Sequence, residues 1–485
     1  MKKRTVITSI FYKGMERFSV KFIGLVIGVV LARLLTPEIF GQIAIIMVFI
    51  NLSNVFIHSG FCTSLVQRKD VTDDDYSTAL YVCLVLSLIL IVILWIIAPF
   101  IAVYYDCEEI RLPLRIYSLI LPVGAYNSIQ LAKAQKEMRF KHMVIVHLIC
   151  AILSGVLGIA VAYAAPGVWA LVVYYASSTF LSALTMMFVT SWHPRLVFSS
   201  ERAKLLFDFG WKILVSGLLC SIYADIRTLL IGKRFSDADL GFYNKGRQYP
   251  DVISNALDVS VQSVMLPTLA SVQDNIPALR RMFRRSVTTG AFVVMPVMFC
   301  LSAISDTFVY LLLTEKWAEC IPYMRILCIA DALTPILTAN LISIKALGRS
   351  DIYMRLEMVR RVVMIVILCI AVFAFHSVEI IAYSYLLSFI LDILIVMVPI
   401  KKLLDQGILE QFKLLWKTIV ASVLTGMIVY FFGKISIPML FVKLMLQGIT
   451  GILAYVALSF LLRNEQLFYM LNMLKNLVKK RSDGQ

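Results

Sequence analysis

Long apolar runs separated by short polar breaks dominate the chain. Crossing about 30 Å of hydrocarbon as a helix takes about twenty apolar residues. Windows of that kind lie near 9–33, 39–61, 79–103, 112–132, 143–165, 168–190, 209–232, 250–270, 287–313, 320–342, 358–376, 378–400, 416–434 and 437–462. They predict an all-α polytopic membrane protein of about 14 transmembrane helices. Polar residues interrupt the windows near 112–132 and 250–270, which makes these two the weakest spans.

Composition agrees with the pattern. Of 485 residues, 60% are hydrophobic and 16% charged, with a mean hydropathy of +0.85, and a soluble domain with that balance would have a greasy surface. The formal charge of +16 does not indicate nucleic acid, because the basic residues are spread over short loops and form no basic domain. Nine cysteines follow neither a C-x-x-C nor a Cys/His ligand spacing, so neither a metal site nor a disulfide framework is indicated. Met1-Lys-Lys-Arg4 faintly resembles the start of a secretion signal. Lys13, Glu16, Arg17 and Lys21 interrupt any h-region and no A-x-A site follows, so the segment is expected to be retained.

The loops predict orientation, since Lys and Arg concentrate on the cytoplasmic side. Lys2 to Arg4, Arg68 and Lys69, Lys133 to Lys141, Arg195 to Lys204, Arg280 to Arg285, Lys345 to Arg355, Lys401 and Lys402, and Lys475 to Arg481 alternate with loops that are poor in cations or acidic, such as Asp106-Cys-Glu-Glu109. Both termini are therefore expected inside. Lys233, Arg234, Lys245 and Arg247 form an exception, read as a basic external loop that either breaks the bias or meets an anionic ligand or lipid headgroup. No loop exceeds about twenty residues, which leaves no soluble domain for a catalytic site.

Two stretches copy each other. Leu31-Ala-Arg-Leu-Leu-Thr36-Pro-Glu-Ile-Phe-Gly41 and Ile231-Gly-Lys-Arg-Phe-Ser236-Asp-Ala-Asp-Leu-Gly241 each end an apolar segment and then place a cation, a hydroxyl, an acid and an apolar-Gly pair, 200 positions apart. That spacing far exceeds a solenoid period and signals a duplicated half, as found in many transporters.

Charges within the apolar windows are costly at mid-bilayer and mark the bundle interior or a wet cavity. Lys13, Arg17 and Lys21 recur at four-residue steps and stack on one face of the first helix, with Gly24 and Gly28 continuing the stripe. Lys13 can snorkel to the interface, whereas Lys21 lies deep for that. The seventh helix carries Lys212 and Arg227 on one face, with Asp225 rotated by about 200° from Arg227. His58, Asn127, Gln130, Asp258, Asp331 and Asp392 complete the set; Asn127 and Gln130 fit helix-to-helix hydrogen bonding better than a ligand site. Pro122, Pro267, Pro296, Pro322, Pro335 and Pro399 interrupt helices, which transporter helices use to bend and static ones also tolerate.

With these pieces placed, the chain resembles the polysaccharide transporter family of the multidrug/oligosaccharidyl-lipid/polysaccharide flippase superfamily, and most of all its Wzx-type, colanic-acid-exporter-like branch. The matching pieces are Arg33-Leu-Leu-Thr-Pro-Glu-Ile-Phe-Gly41, Ser64-Leu-Val-Gln-Arg-Lys-Asp70, Met138-Arg-Phe-Lys141, Gly167-Val-Trp-Ala-Leu-Val172, Pro194-Arg-Leu-Val-Phe198, Phe209-Gly210, Asp225 with Gly232, Leu240-Gly-Phe-Tyr243, Leu266-Pro267, Glu315-Lys-Trp317 and Ala346-Leu-Gly-Arg349. Each is weak alone; their collinear order over most of residues 10–360 is specific. His58-Ser59-Gly60 departs from the family, which often has an acid at the first of these positions, and beyond about residue 360 the match is hydropathic only.

The resemblance implies two pseudo-symmetric six-helix lobes around a central cavity, at 1–200 and 201–405, with two further helices and a basic tail over 406–485. It implies a bacterial inner-membrane flippase that moves polyprenyl-diphosphate-linked oligosaccharide outward by alternating access for surface polysaccharide assembly. Such a protein would need no cofactor beyond a proton or sodium gradient, would take the lipid-linked oligosaccharide and the bilayer as partners, and would work beside a polymerase and chain-length machinery. Arg17, Lys21, Lys212 and Arg227 are the expected cavity cations for an anionic diphosphate; Asp225, Asp258, Asp331 and His58 are the candidates for ion coupling. Three rivals remain. A peptidoglycan-precursor flippase shares the cations and differs in motifs, a multidrug antiporter should favour carboxylates, and a membrane glycosyltransferase or polymerase generally shows a sizeable external loop that this chain lacks.

Overall fold

The computed structural model describes residues 20–58, 60–68, 70–190, 192–470 and 472, all helix, turn or irregular chain without a strand among them. Residues 20–34 form the described part of α1. There follow α2 (Pro37–His58), α3 (Phe61–Gln67), α4 (Asp73–Tyr104), α5 (Arg111–Ser118), α6 (Leu121–Lys136), α7 (Phe140–Ala164), α8 (Val168–Thr190), α9 (Ser200–Arg234) and α10 (Asp237–Ala270). The remainder comprises α11 (Ile276–Leu312), α12 (Cys320–Asp331), α13 (Thr334–Ala346), α14 (Ser350–Ala374), α15 (Val378–Leu404), α16 (Ile408–Phe432) and α17 (Leu440–Leu461).

Among the described residues each of the fourteen apolar windows falls mainly on helix, the first of them from residue 20 on. Among the described residues ten helical stretches are long and apolar enough to cross a membrane; the rest are the polar or broken α5–α6 pair, α10 and the arginine-bearing α14, and α1, whose described part is apolar but shorter. The basic "loop" near 233–247 is corrected. Helix α9 runs on to Arg234 and α10 starts at Asp237, so Lys245 and Arg247 stand within a helix and only a two-residue corner separates the two elements.

Two windows contain a break that hydropathy averages over. Pro122 and Pro335 stand in the first turn of α6 and α13, where a missing N–H costs nothing and the fixed φ suits a helix start, so each restarts a helix after α5 or α12 ends. In each half an arginine shortly before the break ties it to the preceding long helix. Arg115 donates to the Trp95 carbonyl at 2.8 and 3.1 Å while the Trp95 indole donates back to the Arg115 carbonyl at 3.1 Å. Arg325 donates to Ser305 Oγ at 3.1 Å and pairs with Asp306. Irregular backbone inside a membrane needs such partners.

The repeat extends well past the two motifs. A long helix, a short 3-10 turn, a broken pair and two long helices occur once as α4–α8 and again as α11–α15, with the 3-10 turns at Glu108–Ile110 and Glu315–Trp317. Even the corners agree: Met138 and Gly348 both adopt positive φ, at 58° and 69°, immediately before Arg139 and Arg349, the residues that precede α7 and α14. Appended helices α16 and α17 pack on α11 through small residues, Gly426 against Phe299 and Gly451 against Cys300, and Tyr455 donates to the Phe292 carbonyl at 2.9 Å. Close approach at small residues is how helices associate where lipid gives no hydrophobic drive.

By packing, the chain divides into the units Met1–Asn244 and Lys245–Gln485, with the boundary inside α10. In the first unit the two copied motifs touch each other. A Cβ on Gly41 would lie 1.9 Å from the Asp237 carbonyl oxygen, and a Cβ on Gly241 would lie 2.0 Å from that of Pro37. Both glycines and both partners are 200 positions apart, so the contact is reciprocal. A similar backbone-on-backbone seat joins Gly60 to Gly210 on α9, with a Cβ on Gly60 falling 3.0 Å from the Gly210 oxygen.

Candidate functional site: charges and polar clefts within the helices

Arg17 lies outside the described residues, as does the side chain of Asp258 within α10. Lys21 is exposed near the start of α1, a helix that packs on α7 and α8, with Ile27 against Gly155 and Gly24 near Tyr174. Lys212 is exposed on α9, which packs on α2, α3 and α4. Arg227, one helix face on from it, is 3% exposed, and Asp225 is half-buried. Of the expected cations, Lys21 and the pair Lys212 and Arg227 therefore stand on two helices of the first unit with different packing partners.

His58 ends α2 and lines a cleft of about 460 Å³ in the same unit with Asn54, Cys62, Asn127, Ser128 and Thr179. Among the described residues that line this cleft there is no Asp, Glu, Lys or Arg, so its polarity comes from amides, hydroxyls, a thiol and the imidazole. Asn127 and Gln130 act as helix-to-helix links. Ser182 of α8 donates to Asn127 Oδ1 at 3.1 Å, and Gln130 accepts from Thr190 of α8 while donating to Tyr126 Oη at 2.7 Å.

The second unit gathers charge that helical phase alone did not reveal. Asp331 closes α12 at the broken pair, is 4% exposed, and accepts a hydrogen bond from Tyr385 Oη of α15 at 3.2 Å. On α10, Arg247 Nε donates to Asp251 at 3.0 Å and its guanidinium sits 5.7 Å from the Tyr385 ring centre. Next to them Ser254 and Thr334 share a hydrogen bond at 3.3 Å. Among the described residues two carboxylates meet one guanidinium here, and Asp331 stands at a helix C-terminus, where the macrodipole disfavours negative charge. Such an acid is suited to taking and releasing a proton or a small cation. Sequence reasoning named Asp331 and missed Arg247, Asp251 and Tyr385, because Arg247 was assigned to an external loop.

Other buried charges are structural. Arg360 of α14 donates to Asp392 of α15 at 2.9 Å and to Glu357 at 2.7 Å, so Asp392 has a buried partner 32 residues away. An arginine inside the window 358–376 was the available signal. The cations that broke the orientation rule are likewise held by the protein. Lys233 pairs with Asp106 at 3.3 Å and lies 4.7 Å over Tyr104, and Lys245, 3% exposed, faces the Trp317 ring at 5.8 Å. At the other end of the first unit Lys133 pairs with Asp73 at 2.8 Å, and Arg195 and Arg202 reach the Asp73–Asp75 cluster that begins α4. Among the described residues no group of three or more His, Cys, Asp or Glu is placed to hold a metal ion, and the nine cysteines are free thiols.

Duplicated broken helices, reciprocal repeats and paired intramembrane charges define a polytopic protein of the transporter class. Residues 30–322 match the family described as "Polysaccharide biosynthesis protein", and the chain belongs to that family. It is 28% identical over 309 residues to the teichuronic acid biosynthesis protein TuaB of Bacillus subtilis (strain 168), an alignment that spans 62% of this chain and 62% of that protein. It is 23% identical over 413 residues to the lipopolysaccharide biosynthesis protein WzxC of Escherichia coli (strain K12), spanning 85% of this chain and 84% of that one. Its fold is similar to that of the lipid II flippase MurJ in an inward closed conformation, with a TM-score of 0.77 at 13% identity over 94% of this chain and 99% of MurJ.

Proposed function

We propose that the protein is a flippase that carries a polyprenyl-diphosphate-linked oligosaccharide from the cytoplasmic to the outer leaflet of a bacterial inner membrane, by alternating access, for assembly of a surface polysaccharide. The observation that carries the reading is a polysaccharide-biosynthesis family chain in the fold of a solved lipid flippase. Named relatives in teichuronic acid and lipopolysaccharide biosynthesis support the substrate class. The two lobes of the cycle are the duplicated halves, with α16 and α17 appended. The residues fit the cargo: Arg17, Lys21, Lys212 and Arg227 supply cations for an anionic diphosphate while the prenyl tail stays in lipid. Ion coupling falls to Asp331, which Tyr385 contacts beside Arg247, with Asp225, Asp258 and His58 as further candidates. Downstream, a polymerase and its chain-length machinery take the product outside.

Surface-polysaccharide output in cells lacking their own flippase tests this. Expressed at matched membrane levels, Lys21→Gln and Arg227→Gln should each remove a charge-assisted contact of about 1.5–3 kcal/mol, roughly ten- to a hundred-fold in affinity. Lys13→Gln should leave output near normal. Equal full output from all three sinks the cationic route, and no rescue by the unaltered chain sinks the flippase reading. A reporter active only outside the cell, fused to the C-terminus, should stay silent if both termini are cytoplasmic.

A further inference from the structure

A pocket of about 490 Å³ lies in the second unit where α11, α16 and the segment after α17 meet. Arg284 and Arg285 of α11 and Lys413 and Lys417 of α16 line it, against one acid, Glu465. Four positive charges and one negative is a strong bias for so small a space. The apolar spans of these helices begin at 287 and 416, and that of α17 ends at 462, so every cation of the pocket stands at the same end of its span. That is the depth at which hydrocarbon gives way to headgroups.

Three of the four cations are held by neutral groups, which position them without cancelling their charge. Arg284 Nε donates to Gln406 Oε1 at 2.8 Å, the Arg285 guanidinium stacks 4.0 Å from the Tyr469 ring centre, and Lys417 Nζ donates to the Arg463 carbonyl at 3.1 Å. None of the four forms an ion pair with a carboxylate among the described residues, whereas nearby Arg280 pairs with Asp405 at 3.5 Å. The floor is fixed by buried hydrogen bonds: Asn464 donates to Thr418 Oγ1 at 3.0 Å and Thr288 donates to the Arg284 carbonyl at 2.9 Å. Guanidinium forks beside two ammonium groups on an ordered polar floor match the oxygens of a phosphate.

We infer that this pocket binds a phosphate-bearing headgroup of net negative charge at the membrane surface, separately from the cations of the first unit. The inference rests on the membrane reading and not on the transported cargo.

Full-length protein in phosphatidylcholine nanodiscs provides the test, with two probes: phosphatidylglycerol added to the disc and followed by native mass spectrometry, and inorganic pyrophosphate in the buffer followed by calorimetry. The variant R285Q/K413Q/K417Q should lose phosphatidylglycerol retention by about tenfold or more, and K413Q alone, at an exposed position, by about threefold. R281Q/K401Q/K402Q removes the same charge from exposed positions outside the pocket and should change retention less than about twofold. Pyrophosphate that binds and displaces the lipid shows that phosphate alone suffices; lipid retention without pyrophosphate binding assigns the site to lipid-borne phosphate. Equal loss in both triple variants, or loss in neither, overturns the site. Should the pocket triple fail to give monodisperse protein, K413Q decides, and unchanged retention there overturns it. Binding without translocation would defeat the flippase reading and leave this one standing.

Discussion

Gly41→Ala and Gly241→Ala should each lower the thermal stability of the detergent-purified protein sharply, and Gly448→Ala should not. The added methyl at either of the first two positions meets a backbone carbonyl at 1.9 or 2.0 Å, whereas one at Gly448 meets nothing within 4 Å. A carbonyl inside a helix cannot rotate away, so the cost is at least the roughly 1–3 kcal/mol of ordinary overpacking, taken as helix displacement. The double variant should cost less than the sum of the singles, because both changes open the same seat. Wild-type melting of either single variant would mean that α2 and α10 do not meet through these glycines.

Arg360→Gln should also be strongly destabilising, and a compensated variant should recover most of the loss. Arg360 and Asp392 are 9% and 10% exposed in their side chains and joined at 2.9 Å. Removing one partner of a buried pair leaves an uncompensated charge and costs about 3–5 kcal/mol, whereas replacing both by apolar groups of similar volume is often neutral or favourable. Arg360→Met with Asp392→Leu should therefore melt close to wild type, with Glu357 still held by Arg361 at 3.1 Å. Transport activity of this double variant is the second readout: recovery of stability without activity would move the pair from the scaffold into the machinery.

Much of the architecture was legible because the bilayer imposes one period and one length. Among the described residues the fourteen windows lie mainly on helix, and the reading of 112–132 and 250–270 as weak spans matches the polar character of α5–α6 and α10. Where the reading slipped, local pattern and tertiary contact diverged. A window average cannot see that Pro122 and Pro335 restart helices, since both sides of each break are apolar. Nor can helical phase say which neighbour a face meets, so Asp331 was found as a lone acid while Tyr385, 54 residues away, and Arg247 on α10 stayed invisible. Lys233 and Lys245 misled the orientation rule for the same reason: their counter-groups, Asp106 and the Trp317 ring, are remote in sequence.

The reciprocal seat of Gly41 on Asp237 and of Gly241 on Pro37 also has the symmetry of an assembly of two. A contact in which a residue touches a partner, and the copy of that partner touches the copy of the residue, is the form taken by a twofold interface between identical subunits. In such an interface one glycine serves both sides, so a side chain gained there enters it twice. Within a single chain that position becomes two, and the residues around it differ, Arg33 from Lys233 and Thr36 from Ser236, while each glycine faces a carbonyl of the other copy.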